Sequence, residues 1–167
     1  MPLTCQIRLL VEAVQSANLD GGVVPAPYKV DTGLIRLLNG IGYDQADLAY
    51  FDSRTLGGSS ETLDLVGGFN DAFGTAVSPA KVKAVIIANR SQTQVITAKS
   101  AASNGWTGLF SGSTDTVTVG KASSQAYGYF IWFAPQGVAI TAGTGDSITI
   151  GGTSGHSYDI MVIGTSA

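Results

Sequence analysis

The sequence predicts an all-β fold, an antiparallel β-sandwich of jelly-roll-like or Ig-like kind with an N-terminal strand and arm region. Three observations carry that expectation. Short runs of alternating apolar and polar residues follow one another from Leu63 to Gly164, and clusters of Gly, Ser, Asn and Asp separate them at short intervals. No amphipathic pattern of four helical turns and no heptad interrupts them. The 167 residues suit one ordinary domain, or one domain with a small appendage.

Taken in order, Thr4 to Ala13 alternates with a period of two. Cys5, Ile7, Leu9, Val11 and Ala13 lie on one side, and Leu10 alone breaks the polar side, so a single half-buried strand is expected. Gly21, Gly22, Pro25 and Pro27 predict a loop, because proline cannot donate to a ladder. Thr32 to Leu38 reads two ways. Leu34, Leu37 and Leu38 have helical spacing behind Thr32 as an N-cap, while Asn39-Gly40 suits a turn after a strand. Leu48 to Leu56 is strand-like and ends at Gly57-Gly58, and Glu61 to Leu65 points Leu63 and Leu65 inward.

Between Gly67 and Pro79 the glycines predict a loop pinned to the core by Phe69 and Phe73. Lys81 to Asn89 is the expected central strand, with Val82, Ala84 and Ile86 on one face and both faces apolar toward its end. Further strand-like runs are Thr93 to Ala98, Trp106 to Phe110, Asp115 to Val119, Ala126 to Ala134, Gly137 to Thr141, Asp146 to Ile150 and His156 to Ile163. Asn104-Gly105 and Gly143 to Asp146 suit tight turns that need positive φ. The composition shift at Gly57-Gly58 divides an N-terminal strand and loop region, residues 1–56, from a sandwich domain, residues 57–167.

Composition narrows the function. Charged residues are 13% of the chain, about half the usual share. A net charge of −3 supplies no broad basic field, so nucleic acid is not an expected partner. From Ser100 to Ala167 the charged side chains are Asp115, Lys121, Asp146 and Asp159 alone. Surface that poor in charge is expected to be covered in an assembly. The single Cys5 allows no internal disulfide. No signal-peptide pattern opens the chain and no apolar run approaches a membrane span, so no membrane role is expected, and synthesis in the cytoplasm is. Asn89-Arg90-Ser91 reads as a chance sequon in a turn.

Chemistry finds little to work with. His156, Tyr158 and Asp159 cluster in sequence, but alternation sends Tyr158 and Asp159 to opposite faces, against a catalytic triad. One His and one Cys do not make a zinc set. Asp44, Asp47 and Asp52 lack the Gly-punctuated spacing of a calcium loop, and Gly143 to Gly152 has no P-loop lysine. No catalytic, cofactor or metal residue is therefore assigned. The densest feature is aromatic, with Tyr127, Tyr129 and Ile131 on one face and Phe130 and Trp132 on the other. Tyr127, Tyr129 and Trp132, with Ile7 and Leu9 on the N-terminal strand, are the candidate interface residues, since aromatics dominate interface energetics. A carbohydrate-binding platform is the competing reading of the same aromatics.

The segments Tyr50 to Leu56, Glu61 to Leu65, Asn70 to Gly74, Ala80 to Ala84, Ala101 to Trp106, Thr141 to Asp146 and Tyr158 to Gly164 together resemble the small virion structural proteins encoded in tailed-bacteriophage morphogenesis clusters. The resemblance spans roughly residues 48–167 and rests on turn and strand signatures that carry no catalytic residue. It implies a β-sandwich built into a virion, with the major capsid protein or other virion proteins as partners. Capsid decoration, with homo-oligomerisation as a trimer and the N-terminal region as an arm, is the first expectation; tail or head-to-tail joining is the second, and a carbohydrate-binding adhesin the third.

Overall fold

Alternating strands build two facing sheets, and a third, smaller layer grows from the N-terminal segments. The computed structural model describes residues 3–19, 22–31, 33–110 and 112–167. In chain order the strands are β1 (Cys5–Ile7), β2 (Leu10–Leu19), β3 (Gly22–Asp31), β4 (Ile35–Asn39), β5 (Gln45–Ala46), β6 (Leu48–Thr55), β7 (Ser60–Asp64) and β8 (Phe69–Asn70). There follow β9 (Ala76–Val77), β10 (Lys81–Asn89), β11 (Ile96–Ser100), β12 (Thr116–Val119), β13 (Gly128–Ala139), β14 (Ser147–Gly151) and β15 (Ser157–Thr165). No helix occurs among the described residues.

Sheet I runs β13-β10-β15-β6 and sheet II runs β12-β11-β14-β7, with every pairing antiparallel. Counting only these eight strands in chain order, sheet I places the first beside the eighth, then the third and the sixth. Sheet II places the second beside the seventh, then the fourth and the fifth. Every connection that leaves sheet I enters sheet II, so the two layers wind around a common interior. That interior holds Val82, Val85 and Ile87 from β10, Tyr158, Ile160 and Val162 from β15, and Leu63, Ile96, Ala98, Val119, Ile148 and Ile150 from sheet II. Each buried Ile or Leu contributes about 1.5–3 kcal/mol relative to exposure. The layers are therefore held mainly by their inner faces, the arrangement of a β-sandwich.

A polar bridge joins the sheets at one margin. Tyr158 donates to Glu61 Oε1 at 2.5 Å, and Arg54 Nη2 donates to Glu61 Oε2 at 2.8 Å. Arg54 Nη1 also reaches Asp52 Oδ2 at 3.0 Å, which accepts from Tyr50 as well at 2.9 Å. Glu61 comes from sheet II and the rest from sheet I.

Several expectations are corrected. The strand over Thr4 to Ala13 breaks after Ile7: β1 pairs with β4, whereas β2 pairs with β3 as a free two-stranded ribbon. Pro25 and Pro27 lie within β3, opposite Ser16 and Val14, and not in a loop. A ribbon of two strands has an outer edge that needs no N–H, and prolines two residues apart present the same edge. Gly21, the start of that expected loop, and Thr32, the expected N-cap, lie outside the described residues. Residues 35–39 are strand, and β4 pairs in parallel with β5 across the Gly40 turn.

Lys83 overturns the face assignment of β10. It is the extra residue of a bulge between Val82 and Ala84, so Val82 faces the sandwich interior while Ala84 and Ile86 face outward. The buried Lys83 ammonium donates to the Gly42 carbonyl, tying β10 to the turn before β5. Ala126 to Ala134 and Gly137 to Thr141 are not two strands: β13 covers most of both, and Pro135 sits where its ladder skips. Gly137, at φ 77°, closes against Lys81, where a Cβ would come within 2.9 Å of the Lys81 side chain. Trp106 to Phe110 is a turn rather than a strand, with Trp106 buried and its indole donating to Ala139 at 2.9 Å. Phe69 stacks on Tyr50 at 3.9 Å, but Phe73 is 73% exposed and pins nothing.

The expected turn geometry holds at Asn104 (φ 55°) and Gly143 (φ 73°). Gly57-Gly58 is the crossing from β6 in sheet I to β7 in sheet II. Because β6 pairs with β15 over Leu48 to Thr55, the sandwich takes in residues 48–56 and its composition shift marks a turn.

Candidate interaction surface

The outer face of sheet I follows from its register. Ala84, Ile86 and Ala88 point outward on β10, and their neighbours across the sheet form three rows. Phe133, Ala84, Ile163 and Ala49 make the first row. Ile131, Ile86, Met161 and Phe51 make the second, and Tyr129, Ala88, Asp159 and Ser53 the third. Leu37 and Ala46, with Leu3, Cys5 and Ile7, pack on the first row, so the layer of β1, β4 and β5 covers that end of the sheet. Burial raises the Cys5 thiol pKa, which keeps it protonated and unreactive.

The second and third rows are open. Phe51 is 61% exposed and Tyr129 59%, with Ile131 and Tyr127 beside them. The small Ala88 leaves a groove of about 220 Å³ between Phe51 and the two tyrosines, floored by Ile86 and Met161. Charge is confined to its margin: Asp159 accepts from Ser53 at 2.7 Å and from Arg90 at 3.3 Å, and the Arg90 guanidinium lies 5.6 Å from the Tyr127 ring centre. A polar cleft of about 340 Å³ lined by Gln92, Ser123, Gln125 and the same tyrosines adjoins it.

The five candidate interface residues therefore separate. Tyr127 and Tyr129 lie on the open face together. Trp132 is on the opposite face, half-buried, edge-on to Trp106 at 5.8 Å, and so belongs to the sandwich interior. Ile7 is half-buried in the covering layer and Leu9 is exposed at the base of the ribbon. Phe51, Ile86 and Met161 were not singled out in the sequence. Alternation alone would have placed Phe51 opposite Tyr50, but nothing local says that β6 and β13 share a sheet.

The residues weighed for chemistry have structural partners. His156 Nδ1 accepts from Thr153 N at 3.4 Å, and Asp47 accepts from Ser166 N and Oγ at 2.8 and 2.5 Å. Asp44 occupies a turn at φ 53°. Among the described residues no three His, Cys, Asp or Glu side chains gather as a metal site. Asn89 is buried at the end of β10, its amide donating to Gln94 and Gly120, which leaves no access for a glycan. Compared with family models, curated proteins and solved structures, the chain has no match.

Proposed function

We propose that this chain is a non-enzymatic structural protein of a tailed-bacteriophage virion, a capsid decoration or cement protein that stabilises the shell through its sandwich and its N-terminal ribbon. The observations that carry this reading are the ribbon of β2 and β3, which among the described residues pairs with no other strand, and the open apolar face of sheet I. A projecting ribbon and an exposed apolar sheet face are both parts that a clamp between subunits uses. The strand order adds support. First beside eighth and third beside sixth, over second beside seventh and fourth beside fifth, matches the strand order of a jelly roll, an architecture common in capsids, and supports that reading of the sandwich. Partners under this reading are the major capsid protein or other virion proteins, together with further copies of the chain, in the assembled virion.

Antibody labelling of intact particles in the electron microscope tests the location, and selective stripping tests the role. Labelled shells, and stripped particles that lose resistance to heat while keeping intact tails, are the expected outcome. Label confined to the tail or neck would replace this reading with a joining role.

A further inference from the structure

Two apolar surfaces of this chain lie uncovered, and they are complementary in form. The first is one face of the ribbon. Its register sets Val11 opposite Val30, Ala13 opposite Tyr28 and Gln15 opposite Ala26, all on one side and none charged. The other side carries Glu12 and Lys29, paired at 3.3 Å, Asp31 beside Leu10, and the exposed Val14 opposite Pro27, so it mixes charge with apolar surface. The ribbon is therefore two-sided, with Val30 60% and Tyr28 59% exposed on its apolar face. The second surface is the open part of sheet I, where Ile131, Ile86, Met161 and Phe51 form an uncharged row beside Tyr129.

We propose that the apolar face of the ribbon of one copy lies across the open rows of sheet I of a second copy, head to tail. The covering layer already shows the mode of contact: β1, β4 and β5 are a thin β layer laid on the same outer face, and a neighbour's ribbon continues that cover where it stops. Charge selects the side. Asp159 and Arg90 at the groove margin satisfy each other, so the uncharged ribbon face buries no unpaired charge, whereas the reverse face would bury Glu12 and Lys29. Length fits, since ten-residue strands reach roughly 33 Å and a four-stranded sheet is about 15–20 Å across.

Covering three or four large side chains on each surface removes on the order of 400 Å² per surface. A ring in which each copy gives one ribbon and receives another buries about 800 Å² on every copy, about 400 Å² against each of two neighbours. The chain's own ribbon does not fill its own groove, because the ribbon side chains and the groove are both exposed. The inference stands apart from the virion reading, as it concerns contacts between copies alone.

Sedimentation of the full chain at about 100 μM, above the micromolar affinities of standard interfaces, tests it. The wild type is expected at a whole multiple of the monomer mass. Val30→Asp on the ribbon and Phe51→Asp on the sheet should each weaken association by at least about 100-fold, with unchanged circular dichroism. Mixed in equal amounts, the two variants should recover a two-chain complex, because one retains an intact groove and the other an intact ribbon. A monomeric wild type, dissociation by only one of the two variants, or no recovery on mixing would each overturn the proposal. Tyr28→Glu and Tyr129→Glu are the replacement pair should either first variant not fold.

Discussion

Glu61 takes a hydrogen bond from Tyr158 and two from the Arg54 guanidinium, so one carboxylate joins the two sheets. Burial alone would raise its pKa, but the bonds from Arg54 and Tyr158 outweigh burial and hold it below the ordinary 4.5. A carboxylate with a depressed folded-state pKa stabilises the fold fully above its unfolded value, and that contribution is lost as pH falls through the folded value. Glu61→Gln should therefore cost about 1–2 kcal/mol at pH 7, read as a lower urea midpoint with an unchanged slope. The deficit should shrink as pH falls below 4.5 and vanish once the wild-type carboxyl is protonated in the folded state too. A deficit that stayed constant with pH would show that shape, not charge, is what Glu61 supplies. None of this was legible in the sequence, because Glu61 and Tyr158 lie 97 residues apart. What a single residue does locally was readable in part: alternation put Tyr129 and Phe130 on opposite faces, as found, without saying which face was outer.

Elements differ in how firmly they are held, and the ribbon and β10 mark the two extremes. β10 is hydrogen-bonded on both sides, by β13 and β15, and is almost wholly buried. The ribbon has only itself, with Arg8 bonded to Asp31 at 2.7 Å as a brace at its base. A two-stranded ribbon alone is marginally stable in water. In a monomeric preparation, amides of residues 11–16, Ala26 and residues 28–31 should exchange within the shortest labelling time, while β10 exchanges only through global unfolding. Ribbon protection in the monomer would mean that the fold itself holds it. The same two elements mark the limits of pattern reading. Period-two alternation found β10 but not its bulge, because the one-residue slip at Lys83 leaves no composition signal. It lost β3 because proline argues against a strand only where an N–H is required, and the outer edge requires none. Trp106 to Phe110 failed the opposite way, its apolar density arising from a buried tryptophan in a turn.

On the scale of the whole molecule, the sandwich is closed by its last strand. β15 lies between β10 and β6, and Tyr158, Ile160 and Val162 fill the centre of the interior. Deleting residues 157–167 removes those side chains and unpairs both neighbours. The truncated chain should lose its cooperative thermal transition by circular dichroism; a sharp transition that survived would show that β10 and β6 can close the sheet without it. Pairings of such long sequence separation also predict refolding on the millisecond to second scale or slower. The sequence made the layers legible but not their order, since alternation names a strand's faces and never its neighbour. That order has a mechanical consequence. β6 and β15 run antiparallel at the sheet margin with Leu48 beside Gly164, so a load drawn through the N-terminal ribbon reaches the sandwich at the Leu48 end of β6. It would peel β6 away one rung at a time, rather than shear all its bonds together. Once the layer of β4 and β5 has given way, the Asp47 carboxylate gripping Ser166 is the latch that such a pull must open before it reaches β6.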